Sequence, residues 1–158
     1  MKIIIRKLTL IGWVVIGAMV ISGQVAVAEE KLDATMEALK IQRKAYIEKA
    51  MELDPQEKEA FWPLYDEYLA ELSKIRERLF KLFADFVEKQ GYLSDAEALN
   101  MLDENLKIDA EEDKLMHVYL AKFKKVLPGR KVVRLYQLEF RFDTAASSML
   151  FQNIPLIR

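Results

Sequence analysis

The feature that most constrains the fold of this 158-residue chain is a stripe of apolar side chains between Phe61 and Phe86. Its members are spaced alternately four and three residues apart, without a break. A period of 3.5 residues is typical of an α-helix that packs along another helix. A helix over residues 55–90 would be ~54 Å long at ~1.5 Å per residue, which exceeds the width of a compact domain of this size. The stripe therefore predicts an elongated helical hairpin or bundle whose second helix holds both the core and a dimer together. Its members are Phe61, Tyr65, Tyr68, Leu72, Ile75, Leu79, Leu82 and Phe86.

The rest of the chain also carries apolar residues at helical spacing, and no segment alternates with the period of two that a half-buried strand requires. A first helix is predicted over about residues 30–52, on a stripe in which Arg43 is the one polar member. A third is predicted from a capping box at residues 94–97 to about residue 126, apolar at both ends and solvated in the middle. A fourth is predicted over about residues 130–147. The predicted fold class is all-α, with four helices.

The start of the second helix has a clear signature in Leu53, Asp54, Pro55 and Glu57. Asp54 can accept hydrogen bonds from the free amides, and Pro55 suits the first helical position. Glu57 can reach back to the amide of Asp54 and complete a capping box. These residues are therefore predicted to cap the helix.

The N-terminus predicts export across a membrane. Residues 2–7 contain three bases, residues 8–22 are apolar and uncharged, and Ala26-Val27-Ala28 offers the small side chains of a cleavage site. We expect a signal peptide over residues 1–28 and a single periplasmic domain over residues 29–158. Because residues 8–28 are uncharged and long enough to span a bilayer, an uncleaved anchor is the alternative. The chain has no cysteine, which excludes a lipid-anchored lipoprotein and a disulfide framework.

Charge is distributed unevenly along the predicted mature chain, which has 21 bases and 25 acids and thus a net charge of −4. This balance gives no general case for nucleic acid as a partner. Residues 94–113 hold eight acids and one base, whereas residues 114–141 hold eight bases and one acid. The two segments can complement helix dipoles, or they can face one another within a subunit or between subunits.

Few residues could support catalysis or metal binding. His117 is the only histidine, the hydroxyl side chains fall in no recognisable nucleophile motif, and no glycine-rich phosphate loop occurs. The methionines are scattered, which is typical of residues that fill gaps in a core. The sequence predicts a protein that is not an enzyme and has no cofactor or metal, no small-molecule substrate and no nucleic-acid partner.

With catalysis and metal binding set aside, the chain still has a helical surface that combines aromatic and basic side chains. Such a surface is suited to binding other polypeptides. We place the predicted partner surface within residues 122–142, where exposed bases can attract an acidic chain and apolar rings can then hold it. The candidate residues are Phe123, Arg130, Lys131, Arg134, Tyr136 and Arg141.

From Leu53 onward the chain resembles the Spy/CpxP family of periplasmic chaperones and stress-response proteins, also called LTXXQ proteins. It is most similar to the subgroup labelled as sensors of extracytoplasmic sigma factors. The resemblance lies in residues 53–57, 61–68, 126–131 and 154–156, together with Arg134, Gln137, Leu138 and Glu139. The literal Leu-Thr-x-x-Gln motif does not occur, because Asp54 and Glu57 replace its polar pair.

The resemblance implies a four-helix, hairpin-like subunit that pairs antiparallel into a cradle-shaped homodimer. It implies a chaperone of the envelope stress response that holds unfolded polypeptides without ATP. The alternative is a regulatory subunit dedicated to one partner, such as a sensor kinase or an anti-sigma factor. The metal-sensing relatives use clustered histidines, which this chain lacks.

Overall fold

The structure is a computed structural model that describes residues 25–151 and residue 156, with side chains described for residues 37–148 and 156. This part of the chain is all-helical. It contains four helices: α1 (Val25–Met51), α2 (Pro55–Lys89), α3 (Asp95–Phe123) and α4 (Gly129–Phe151). The predicted number of helices is confirmed, and α4 extends a turn beyond its predicted end.

Two helices begin at reciprocal capping boxes. At α2, Asp54 Oδ1 accepts from the Glu57 amide at 2.8 Å and Glu57 Oε2 accepts from the Asp54 amide at 2.9 Å. At α3, Ser94 and Glu97 make the same exchange at 3.3 and 2.9 Å. Each box satisfies amides that the first helical turn leaves without partners.

The chain divides into two compact units, residues 1–41 and 42–158. The second unit contains the last turns of α1 and all of α2, α3 and α4, and these elements enclose a hydrophobic core. Aromatic rings of α2 and α3 fill the centre of this core, and the ring centroids of Phe61 and Phe123 lie 5.5 Å apart. The remaining buried members come from all four helices and their connections; they are Ile47, Met51, Leu53, Tyr65, Tyr68, Leu69, Leu72, Tyr119, Leu127, Val132, Leu135 and Leu138.

The stripe on α2 is buried along only part of its length. Its members from Phe61 to Leu72 are buried, whereas Ile75, Leu79, Leu82 and Phe86 are half-buried. Within one subunit the stripe therefore contributes to the core mainly through its first half, and its predicted role in a dimer stays a prediction. The reason is that α1 ends at Met51 and packs with its last turns, together with α4, against the first half of α2.

The apolar pattern of α3 also differs from its prediction. Ile108, in the predicted solvated middle, is fully buried, while the leucines near the N-terminal end are exposed. On α4 the buried side consists of Val132, Leu135 and Leu138, and the neighbouring row that begins at Val133 is exposed.

No helix in residues 25–151 combines the length and apolar character required to span a bilayer. The predicted signal peptide lies largely outside the described residues, since only its last four residues fall within α1. Its cleavage stays a prediction, as does the domain boundary at residue 28.

Candidate functional site

A buried polar cluster lies between α1, α2 and α4. Arg43 and Glu139 are only 2% and 1% exposed, and Arg43 Nη1 donates to Glu139 Oε2 at 2.5 Å. The hydroxyl of Tyr65 donates to Glu139 Oε1 at 2.6 Å, and that of Tyr68 donates to Oε2 at 3.3 Å. The guanidinium carbon of Arg43 also lies 4.6 Å from the ring centroid of Phe142. Glu139 thus has a partner for each carboxylate oxygen, which a buried charge requires.

The cluster extends towards the surface through Asp143. This carboxylate accepts from Arg43 and also from Arg76 Nη2, the latter at 2.7 Å. Arg76 in turn donates to Glu112 at 3.1 and 3.3 Å. The network therefore joins all four helices within the second unit: Arg43 links α1 to α4, and Arg76 links α2 to α3 and α4.

Burial and neighbouring charges shift the pKa values of the tyrosines and arginines of the cluster. Burial raises the pKa of Tyr65, and the charge of Glu139 raises it further, so the hydroxyl remains a donor. Burial alone would lower the pKa of Arg43, but Glu139 and Asp143 together raise it above its ordinary value. Each of these side chains has a partner within the cluster, and the contacts join the helices.

The structure separates the predicted partner residues into three groups. Phe123 is only 1% exposed and packs against Phe61, Tyr65 and Tyr68, so it belongs to the core. Its prediction as a partner residue is wrong for this conformation. The cause is helical periodicity, because Phe123 continues the buried row of Tyr119 on α3.

Lys131 and Arg134 have partners within the chain. Lys131 Nζ donates to the backbone carbonyl of Glu52 at 3.0 Å and forms an ion pair with Glu57, the capping residue of α2. Arg134 Nη1 lies 3.2 Å from Glu52 Oε2. Glu52 has a positive φ of 51°, the left-handed conformation with which the chain leaves α1. These two bases therefore link α4 to the turn between α1 and α2.

Arg130, Tyr136 and Arg141 are exposed on α4. Val133, Tyr136 and Phe140 follow one another at steps of three and four residues and are 49–63% exposed, which makes a continuous apolar row. Residues 130, 134, 137 and 141 form an adjacent row at steps of four, three and four. We call these two rows the basic aromatic face; its residues are Arg130, Val133, Arg134, Tyr136, Gln137, Phe140 and Arg141.

A second exposed apolar row lies on α3, where sequence reasoning placed no site. Leu99, Leu102 and Leu106 are 52–61% exposed and have the same spacing of three and four residues. Asp95 and Asp109 extend this row at either end, and Asp103 lies beside it. We call this surface the acidic leucine face; its residues are Asp95, Leu99, Leu102, Asp103, Leu106 and Asp109.

The two oppositely charged segments of the sequence do not neutralise one another within the described part of the chain. The acids of α3 that form ion pairs with other helices do so with α2, where Arg78 contacts Glu104 at 2.8 Å and Glu111 at 2.5 Å. No Lys or Arg of residues 114–141 pairs with an acid of residues 94–113 among the described side chains. Arg130, Arg141 and Asp103 form no ion pair with any described residue, so they are available to an external partner.

Metal-ligating residues do not gather into a site in the described part of the chain, where no group of three or more His, Asp and Glu could hold an ion. His117 is exposed on α3, and its Nδ1 donates to the carbonyl oxygen of Asp113 at 2.8 Å. It has no nucleophile beside it among the described contacts.

Comparison of this chain with protein-family models, with curated proteins and with solved structures finds no match.

Proposed function

We propose that this protein is a periplasmic, ATP-independent binding protein that holds unfolded or partner polypeptides on the basic aromatic face of α4. The observation that carries the proposal is the exposure of three large apolar side chains, Val133, Tyr136 and Phe140, in one row. This row lies beside Arg130 and Arg141, which form no ion pair with any described residue. A contiguous exposed apolar surface with a polar rim is typical of a protein interaction site. Catalysis has no support among the described side chains.

The two rows have complementary roles in binding. Arg130 and Arg141 lie eleven residues apart in the sequence, so their Cα atoms are separated by ~16 Å along the helix at ~1.5 Å per residue. Their charges attract acidic segments over the Debye length of ~8–10 Å, and the apolar row then buries side chains of the captured chain. Unfolded polypeptides expose such apolar side chains, whereas folded proteins bury them.

The location in the periplasm rests on the predicted signal peptide of residues 1–28. The proposal of a hairpin-like subunit and a cradle-shaped homodimer rests on the resemblance to the Spy/CpxP family. The half-buried second half of the α2 stripe supports self-association, because Leu79, Leu82 and Phe86 retain apolar surface that a second chain could cover.

An aggregation assay tests the proposal. The protein, purified from the periplasmic fraction, should suppress light scattering by three unrelated unfolding proteins at near-equal molar ratio and without ATP. The variant Tyr136→Ser/Phe140→Ser should lose this protection because it removes the apolar row. Arg130→Glu/Arg141→Glu should slow capture of acidic clients and leave the melting temperature unchanged.

Lys49→Glu/Lys58→Glu is the matched control, since both lysines are exposed and lie outside the basic aromatic face. It makes the same change in net charge and should protect as the wild type does. If the wild type protected none of the three clients, a general chaperone would be excluded. A protein dedicated to one partner would then remain, and it would be recognised by capture of that single partner through the same arginines.

A further inference from the structure

The acidic leucine face of α3 and the basic aromatic face of α4 match one another in pattern and in charge. Each has three large apolar side chains at positions i, i+3 and i+7, namely Leu99, Leu102 and Leu106 on one face and Val133, Tyr136 and Phe140 on the other. The flanking charges are opposite: aspartates on the first face and arginines on the second. Helices with such rows can pack side chain against side chain, while the flanking charges select the partner.

The faces cannot be paired with each other within this subunit, because all six apolar side chains are about half or more exposed in it. The charges around them lead to the same conclusion. Asp103, Arg130 and Arg141 have no ion pair with any described residue, although each segment forms ion pairs elsewhere, such as Arg78 with Glu111. Both faces are thus left available to a second copy of the chain.

We propose that the acidic leucine face of one copy binds the basic aromatic face of a second copy, and that this contact covers the polypeptide-binding surface until a client displaces it. The second half of the proposal rests on the function proposed above. Two such contacts related by a two-fold axis close a dimer, since each copy gives one face and receives the other. A single pair of helical rows is a small interface, so the association is weak and depends on protein concentration.

Charge exchange tests the contact directly. The acid-face variant Asp103→Lys/Asp109→Lys makes both faces basic, and the basic-face variant Arg130→Glu/Arg141→Glu makes both faces acidic. Sedimentation velocity should show that each variant alone associates at least about tenfold more weakly than the wild type, because like charges meet at the contact. An equimolar mixture of the two variants should associate again, because opposite charges are restored between copies.

The control Glu59→Lys/Glu88→Lys makes the same change in net charge as the acid-face variant at exposed positions on α2. It should associate as the wild type does. If both variants associated normally, or if their mixture failed to restore association that each had lost, the proposed contact would be overturned.

Client protection by the acid-face variant tests whether the contact masks the binding surface. This variant keeps the whole basic aromatic face but can no longer cover it, so it should suppress aggregation at a lower molar ratio than the wild type and the control. Equal protection by all three would overturn the masking. Loss of association with no protection by any form would refute the proposed function and leave the contact standing, so the two failures are distinguishable.

Discussion

Arg43 and Glu139 lie 96 positions apart in the sequence and form a buried ion pair at 2.5 Å between the first and the last helix. Tyr65 and Tyr68 of α2 donate to the same carboxylate, so three helices meet at one side chain. Buried ion pairs are expensive to desolvate, and their net contribution to stability is small even when their geometry is good. In the structure, α4 lies in the register that places Glu139 beside both tyrosines.

Removal of one member of this pair should be far more damaging than its net contribution suggests. Arg43→Met leaves the Glu139 carboxylate buried without a cation, and we expect a loss of ~3–5 kcal/mol in the free energy of unfolding. Glu139→Gln should also destabilise, but the double variant should cost less than the sum of the two, because neither buried charge is then left unpaired. Urea unfolding of all four forms measures this coupling. Strict additivity would show that the two side chains do not interact.

The capping box of α3 should hold the pKa of Glu97 low. Its carboxylate accepts from the Ser94 hydroxyl at 2.6 Å and from the Ser94 amide at 2.9 Å, and these hydrogen bonds lower its pKa below the ordinary glutamate value. The stabilisation is therefore fully present above the pKa of the unfolded chain and is lost as the pH falls through the lower pKa of the folded state. A carboxyl-detected NMR titration should show this low pKa. Ser94→Ala should raise it towards the ordinary value, while the pKa of Glu104, lowered by its hydrogen bond to Arg78, should not move.

The sequence was sufficient to predict the helices, because capping residues and 3.6-residue periodicity are local properties. Asp54 and Ser94 begin α2 and α3 with the hydrogen bonds that their residue types favour. The sequence was not sufficient to predict which face of α4 is buried, since that helix carries two apolar rows. The row of Val132, Leu135 and Leu138 packs against the core, and the adjacent row does not.

The buried network could not be predicted because it depends on contacts between distant segments. One signal was present: Arg43 is the single polar residue in the apolar stripe of the first helix. A charge in such a position requires a buried partner of opposite sign, but nothing local to Arg43 identifies Glu139 as that partner. Likewise, the charge pattern identified a basic segment on residues 114–141, but it did not show which of these bases have partners within the chain. Only the packing of α4 on the α1–α2 turn shows that Lys131 is paired there, whereas Arg130 has no ion pair with a described residue.

Cleavage after Ala28 is expected, because Ala26 and Ala28 follow an uncharged apolar segment at the spacing a signal peptidase recognises. The intact mass of protein purified from the periplasmic fraction should correspond to a chain that starts at Glu29. Recovery of the full-length mass in the membrane fraction would instead support an uncleaved anchor. Replacement of Ala28 by a bulky residue such as Phe should retain the N-terminal segment and serves as the control.

Core substitutions along the α2 stripe should differ in cost with position. Leu72 is buried, so Leu72→Ala should cost ~2–5 kcal/mol, whereas Leu79 is half-buried and Leu79→Ala should cost clearly less in the monomer. The cap variant Asp54→Ala should cost ~1 kcal/mol. Urea unfolding at low protein concentration measures all three. A larger effect at Leu79 than at Leu72 would indicate that this half of the stripe is covered by another chain.

Substitution of Lys131 should lower the free energy of unfolding more than substitution of Arg130 does. Lys131→Met removes the ion pair with Glu57 and the hydrogen bond to the Glu52 carbonyl, and we expect a cost of about 1–2 kcal/mol. Arg130→Met removes no described ion pair and should change the free energy of unfolding by less than about 0.5 kcal/mol. Thermal and urea unfolding of the two variants provides the comparison, and each variant acts as the control for the other. Equal destabilisation would mean that Arg130 is also part of the architecture, and its assignment to the polypeptide-binding face would have to be withdrawn.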